Sequence, residues 1–190
     1  MTILDTAGAV RRSRGLRQAV VAARAGEAAP NLSTIESGRR APTAVKLDRI
    51  LRASDARLAA VPTTRDGAFE TSTAIRSALG AGDTRRAFRA WLALNDSFRA
   101  EGPVNRVVLA AFPPERTGSR LYDAAIAALT ELRLREVDAP IPSWALETTP
   151  LSAPEIFAGS PYVRTVDDRR TPDEFRRRGV LIDPSLLESA

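Results

Sequence analysis

The chain has 190 residues, of which 28 are arginine or lysine and 23 are aspartate or glutamate, and it contains no cysteine and no histidine. This composition excludes disulfides, thiol nucleophiles and imidazole bases, and it removes the usual ligands of transition metals. We therefore expect no catalytic residue, no metal site and no cofactor, and we predict that the protein is not an enzyme.

No apolar run approaches the ~18 residues that a membrane-spanning helix needs, so we expect no insertion into a membrane. The chain begins MTILDTAG, and Asp5 lies where a secretory signal would carry a cationic and then an apolar stretch. We therefore expect the protein to stay in the cytoplasm.

The positive charge is concentrated in the first third of the chain. Residues 1–60 carry 11 basic and 5 acidic residues, a net charge of +6, whereas residues 61–190 carry 17 and 18, a net charge of −1. Lys46 is the single lysine, so almost all of the positive charge is guanidinium, which suits bidentate contacts with phosphate. This asymmetry predicts a polyanionic partner for the first third and a different role for the rest.

Short helices are predicted in the first third, because glycine or proline interrupts it repeatedly. Gln18 opens an apolar-periodic helix that ends at Gly26, and a turn of about three residues follows. Leu32 and Ile35 then mark the buried side of a second short helix that closes at Gly38. Two helices joined by a short turn containing glycine form a helix-turn-helix unit.

Longer helices are predicted beyond residue 67. Asp83 is placed to cap a helix that runs to about Ala100, and a second helix follows Thr117. Weaker patterns predict helices at 68–79 and 104–112. Together these helices predict a small bundle that either dimerises or binds a partner.

Prolines recur after residue 137 and predict an extended segment. One short helix is expected from Thr171 to about Gly179, and VLID at 180–183 is either a short strand or an extended tail. The chain is therefore predicted to be all-α, with an N-terminal helix-turn-helix domain of about five short helices, a helical bundle and an extended proline-rich tail. The corresponding predicted domains are residues 1–61, 68–137 and 138–190.

The runs GLRQAVVAARAG, LSTIESGRRAPT and LDRIL, within about residues 7–60, resemble the lambda-repressor-like helix-turn-helix domains of the Xre or Cro type. In that family the second helix of the unit enters the major groove, which the resemblance places at residues 29–37. The resemblance also places Gln18 at a helix N-terminus beside a phosphate. Arg39 and Arg40 follow the second helix, where they are expected to grip the flanking backbone. The predicted DNA-binding residues are Gln18, Ala29, Pro30, Asn31, Ser33, Thr34, Ser37, Arg39 and Arg40.

Base-edge contacts are expected from Asn31, which suits adenine, and from the hydroxyls of Ser33 and Thr34. The arginine-rich run RRSR at 11–14 either contacts phosphate or forms a solvated helix face, and RRR at 176–178 is interpreted as a helix face or a protein contact. The departures from the family pattern are Glu27 in the turn, Arg17 and Ala28 in place of capping hydroxyls, and Ala29 and Pro30 in place of polar base readers.

The tail carries PIPSW at 140–144 and TPDEFRRRGVLID at 171–183. These two motifs, in this order, resemble the C-terminal region of actinobacterial-type antitoxins that carry an Xre-like domain and are encoded beside a nucleotidyltransferase-type toxin. The resemblance implies a toxin partner wrapped by the proline-rich segment and residues 175–182. The alternative is a stand-alone dimeric repressor whose C-terminal part dimerises or senses a ligand. In both cases we expect a homodimer on double-stranded DNA.

Overall fold

The computed structural model describes residues 7–8, 10–12, 14–58, 60–159, 162 and 165–188. They divide into two compact units, residues 1–60 and residues 61–190, and each unit has its own hydrophobic core. Secondary structure in the described residues is helical apart from one pair of two-residue strands, which confirms the all-α prediction. No helix within this part of the chain combines the length and the apolar character needed to cross a bilayer.

The first unit is a cluster of short helices around a small core. Residues 7–8 and 10–12 are helical. They are followed by α1 (Gln18–Arg24), α2 (Ala29–Glu36) and α3 (Ala44–Ala53).

The chain leaves helical structure after α3, and residues 54–58 form a turn followed by irregular backbone. Asp55 adopts a left-handed conformation with φ of +57°, and Ala56 N donates to Leu51 O at 2.9 Å. This hydrogen bond reverses the chain and ends α3.

The second unit is built on a helical bundle, as predicted. Asp83 caps the longest of these helices, because its carboxylate accepts a hydrogen bond from Arg86 N at 2.8 Å. The helix begins at the next residue and runs to Ala100, which confirms both predicted ends. The helices of the bundle are α4 (Ala68–Gly80), α5 (Thr84–Ala100), α6 (Pro103–Ala110) and α7 (Arg120–Arg135).

The chain after the bundle folds back onto it. Strands β1 and β2 pair in parallel, with Glu155 opposite Val180 and Ile156 opposite Leu181. The first two residues of the VLID stretch at 180–183 thus form a short strand. The elements of this region are α8 (Ser143–Leu146), β1 (Glu155–Ile156), α9 (Asp173–Arg176), β2 (Val180–Leu181) and α10 (Ser185–Glu188).

The apolar side chains of this returning segment are buried in the second unit's own core. The ring of Trp91 packs against Phe157 and Phe175 at centroid distances of 4.8 and 6.2 Å, and Val180 and Ile182 join the same core. Burying each such side chain is worth about 1.5–3 kcal/mol. These enclosed apolar groups are not available to a partner, and the wrapping of a toxin by residues 175–182 stays a prediction.

A buried carboxylate also ties the tail to the bundle. Glu131 of α7 lies in an ion-pair cluster with Arg135, Arg177 and Arg178, and Arg178 Nη2 approaches its Oε2 to 2.7 Å. Arg176 pairs locally with Asp173. The RRR run was interpreted as a helix face or a protein contact, but two of its three arginines instead bind this carboxylate inside the unit.

Burial alone would raise the pKa of Glu131, but hydrogen bonds from Arg177, Arg135 and Arg178 outweigh it and lower the pKa from 4.5 to about 2. Since the folded state favours the ionised carboxylate, its stabilisation is fully present above pH 4.5 and is lost as the pH falls from 4.5 towards 2.

We predict that Glu131→Gln lowers the free energy of unfolding of the second unit by about 3–5 kcal/mol at pH 7, because Arg178 is 3% exposed and loses its counter-ion. The variant should also lose less stability than the wild type between pH 4.5 and pH 2.5. Urea unfolding followed by tryptophan fluorescence measures this, since both tryptophans, Trp91 and Trp144, lie in this unit.

The matched control is Asp173→Asn, which removes an exposed carboxylate that pairs with Arg176, one helical turn later in the chain. It should change the unfolding free energy by less than about 1 kcal/mol. Equal stabilities of Glu131→Gln and the control would contradict the assigned role of Glu131.

Candidate nucleic-acid interface

Backbone hydrogen bonds fix the turn between α1 and α2. Glu27 N donates to Ala22 O at 2.8 Å, and Gly26 N donates to Ala23 O at 3.2 Å. Gly26 has φ of +63°, a conformation that glycine adopts without the steric cost of a β-carbon. The predicted end of α1 near Gly26 is confirmed, and the direction of α2 relative to α1 is set here.

Two side chains seat α2 on the core of the first unit. Leu32 and Ile35 are both 0% exposed and share that core with Val21 of α1 and Ile50 of α3. This is the buried side predicted from the sequence. The other positions of α2 are exposed or half-buried.

The predicted base-contacting residues all belong to α2 or to its C-terminal cap, Ser37. No side chain caps α1 at Arg17 or α2 at Ala28, as expected, so neither helix gains the roughly 1 kcal/mol that a capping hydroxyl gives. Of the predicted residues on this helix, Ala29, Pro30 and Ser37 are exposed, and Asn31, Ser33 and Thr34 are half-buried.

Hydrogen bonds divide the polar side chains of α2 into two groups. The hydroxyl of Thr34 donates to Asn31 O at 2.8 Å, and that of Ser37 donates to Thr34 O at 3.2 Å. Within the described chain, the side chains of Asn31 and Ser33 make no hydrogen bond. These two side chains therefore keep their full hydrogen-bonding capacity for a base edge.

The C-terminal end of α2 positions the arginines that follow it. Gly38 has φ of +72°, and Arg40 N donates to Thr34 O at 3.1 Å, which fixes the backbone after the helix. Arg39 Nε donates to the Ser37 hydroxyl at 3.0 Å. Ser37 thus orients Arg39, a role that sequence reasoning did not assign to it.

Glu36, at the end of α2, joins three parts of the unit. Arg11 donates to both of its carboxylate oxygens, Nε to Oε1 at 2.7 Å and Nη2 to Oε2 at 2.9 Å. Gln18 Nε2 donates to Oε2 at 3.1 Å. The Glu36 side chain is only 6% exposed, and its carboxylate raises the pKa of Arg11. The N-terminus of α1 is thereby tied to the C-terminus of α2.

This arrangement gives the arginines of the RRSR run at 11–14 different environments. Arg11 is neither a phosphate contact nor a solvated side chain, because it is bound to Glu36 inside the unit. Arg12 and Arg14 are exposed, so both interpretations, a phosphate contact and a solvated helix face, still apply to them. Gln18 remains at the first position of α1, and its amide is oriented by Glu36.

Glu27 explains its own departure from the family pattern. Its side chain is 7% exposed and forms ion pairs with Lys46 at 2.9 Å and Arg49 at 2.6 Å, both on α3. The hydrogen bond from Lys46 lowers the pKa of Glu27. A carboxylate therefore fits the turn because α3 supplies two cations, and the chain's single lysine is a structural residue.

Pairing leaves an uneven distribution of charge on the first unit. The described carboxylates there, Glu27, Glu36, Asp48 and Asp55, all form ion pairs. Among the described residues, the arginines of this unit that form no ion pair are all exposed; they are Arg12, Arg14, Arg17, Arg39, Arg40 and Arg57.

Most of these unpaired arginines lie at one place. Arg12, Arg14 and Arg17 precede α1, while Arg39 and Arg40 follow α2. Because the Glu36 network joins those two helix ends, the segments that carry these five arginines meet at the C-terminal end of α2. Such a cluster attracts the phosphate backbone of a nucleic acid.

Comparison with known proteins agrees with this geometry. Residues 5–61 match the family model described as a helix-turn-helix domain, consistent with the Xre type. The N-terminal unit is therefore a helix-turn-helix domain, and this supports a DNA-binding regulator. No curated protein and no solved structure matched the chain.

We predict that Arg39→Ala weakens binding to every duplex sequence and reduces the slope of log K against log [salt] by about one unit, because one phosphate contact is lost. Fluorescence anisotropy with a labelled 20-base-pair duplex at several salt concentrations measures this slope.

Arg57→Ala is the matched control, since Arg57 is also exposed and forms no ion pair in the described chain. Arg57 follows the C-terminal end of α3. That end lies near the C-terminal end of α1, because Arg24 donates to Ala53 O. We expect Arg57→Ala to leave the slope unchanged. Equal slopes for the wild type and Arg39→Ala would remove the phosphate contact assigned to Arg39.

Proposed function

We propose that this protein is a sequence-specific transcriptional regulator and the antitoxin of a toxin–antitoxin pair, which represses its own operon and binds its toxin. The observation that carries the DNA-binding half is the set of five unpaired arginines around the C-terminal end of α2, the helix that also carries the unbonded side chains of Asn31 and Ser33.

In this proposal α2 lies in the major groove with its exposed side towards the bases. Asn31 forms a bidentate contact with adenine, and Ser33 contacts a neighbouring base. Ala29 and Pro30 are small and apolar and suit the methyl group of thymine. Thr34 contributes only as an acceptor, because its proton is donated to Asn31 O.

Phosphate contacts supply most of the affinity. Arg39 and Arg40 grip the backbone on one side of α2, and Arg17 and the Gln18 amide reach it on the other. The net charge of +6 on residues 1–60 steers the unit towards DNA at low salt.

The regulator acts as a homodimer. Two copies of α2 separated by ~34 Å read successive major grooves on one face of the duplex, so the operator is an inverted repeat. A DNA-binding domain of this type needs far fewer residues than the chain has. We assign dimerisation and binding of the toxin to residues 61–190.

The antitoxin half of the proposal is supported by the motifs PIPSW and TPDEFRRRGVLID and their order. Both motifs help to build the second unit: Trp144 Nε1 donates to Ala110 O at 3.0 Å, and Arg178 binds Glu131. The motifs therefore define the shape of a partner-binding unit while most of their apolar side chains stay inside it.

We also propose that the protein has no enzymatic activity, since the sequence lacks cysteine and histidine. A DNA-binding regulator works in the compartment that holds the DNA it binds, and we propose the cytoplasm as that compartment.

We predict that selection from a random duplex pool yields an inverted repeat, and that Asn31→Ala loses about 1–3 kcal/mol at one base pair in each half-site. The variant should keep the salt slope of the wild type, because no phosphate contact changes. Ser33→Ala, as the comparison, should alter a different base pair. An unchanged preference in Asn31→Ala would contradict the role of Asn31 in reading bases.

We predict that this chain forms a stable complex with the protein encoded by the gene next to its own. Co-expression followed by size-exclusion chromatography with light scattering gives the composition of the complex. If the two proteins elute separately while this chain alone binds DNA as a dimer, the antitoxin proposal is wrong and the stand-alone dimeric repressor replaces it.

A further inference from the structure

Three arginines on the exposed side of α5 have no counter-ion. Arg85, Arg86 and Arg89 are exposed, and within the described chain their side chains form no ion pair and no hydrogen bond. The nearest acid along the sequence is Asp83, and its carboxylate is engaged by Arg86 N at the start of the helix. We call these three arginines the α5 patch.

The position of the α5 patch is unfavourable for the helix itself. Arg85 and Arg86 lie in the first turn of α5, which contains no acidic residue. The N-terminus of a helix carries a partial positive charge, so cations there are repelled and anions are favoured. Stability of the helix therefore does not explain these arginines.

The α5 patch also differs from its surroundings in the second unit. Several other arginines of this unit are neutralised by partners; for example, Arg76 pairs with Glu115, and Arg133 pairs with Glu136. Residues 61–190 have a net charge of −1. The patch is thus a local concentration of positive charge on a unit that is close to neutral.

An exposed aromatic side chain follows the segment that packs against α5. The backbone at Gly159 presses against Phe88 of α5, since a β-carbon there would meet the Phe88 ring at 2.6 Å. Tyr162 comes three residues after Gly159 in the sequence and is 87% exposed. Arginine and tyrosine are the residue types most enriched at the centres of protein interfaces.

We propose that the α5 patch is the surface by which the second unit docks an acidic face of its protein partner. This inference rests on the proposed antitoxin function and identifies the chemistry of that contact. The returning segment is excluded as the main contact, because Phe175 and Ile182 are enclosed in the core.

A protein partner fits the α5 patch better than a duplex does. A duplex needs a broad positive field to neutralise phosphates along its length. A unit with net charge −1 offers only a small positive area, which suits carboxylates placed opposite three guanidinium groups.

The test compares three forms of the full chain for binding the adjacent-gene protein by calorimetry at 50 and 300 mM salt: the wild type, the charge-reversed variant Arg85→Glu, Arg86→Glu, Arg89→Glu, and a control. We expect the reversed variant to bind about 100-fold more weakly at the lower salt concentration and to lose most of the wild type's salt dependence. The triple change to glutamine should give an intermediate loss.

The control reverses three exposed arginines elsewhere on the second unit that form no ion pair within the described residues, Arg116→Glu, Arg169→Glu and Arg170→Glu, and should bind within about threefold of the wild type. The thermal midpoint of the patch variant should equal or exceed that of the wild type, because acids in the first turn of α5 are favoured by the helix dipole. A weakened complex in a protein that is no less stable separates docking from folding.

Equal partner affinity of the wild type and the patch variant would overturn the docking surface while leaving the antitoxin function standing. A patch variant that loses affinity for a 20-base-pair duplex as Arg39→Ala does would also overturn it, in favour of a second DNA contact. If the wild type does not bind the adjacent-gene protein, both proposals fall together.

Discussion

The carboxylate of Glu36 is the contact on which the arrangement of the helix-turn-helix unit depends. It accepts two hydrogen bonds from Arg11 and one from Gln18, and these connect the segment before α1, the start of α1 and the end of α2. A nearly buried carboxylate that lost these donors would bear the full cost of desolvation, so the three parts are constrained to stay together. The exposed arginines beside them then form one cluster instead of two.

Ion pairs neutralise carboxylates in both units, but the exposed charge that remains differs between them. In the first unit, every described carboxylate is paired with a cation, and the arginines left over are exposed. In the second unit, Glu131 and Glu136 neutralise buried arginines, and the net charge stays near zero. Pairing thus leaves a surplus of exposed positive charge on the first unit, and each unit is held together mainly by its own hydrophobic core.

Local patterns predicted much of this fold. Asp83 predicted the start of α5, and the apolar-periodic run after it predicted the end near Ala100. Gly26 between two short helices predicted the turn of the helix-turn-helix unit, because caps and glycine turns depend on nearby residues. The pairing of Glu27 with α3, and of Glu131 with Arg178 across 47 residues, was beyond such reasoning. These contacts form only when distant segments meet, and the sequence shows no spacing that marks them. The burial of Phe175 and Ile182 was missed for the same reason.

The most direct test of the account is to map which residues respond to DNA in the intact protein. Amide NMR spectra of the ¹⁵N-labelled chain, titrated at low salt with a 20-base-pair duplex, report each residue separately. The account predicts shifts at residues 17–18, 29–34 and 38–40, with the amides of residues 84–89 unchanged. Spectra in which α2 does not respond, or in which the response is confined to residues 61–190, would contradict it.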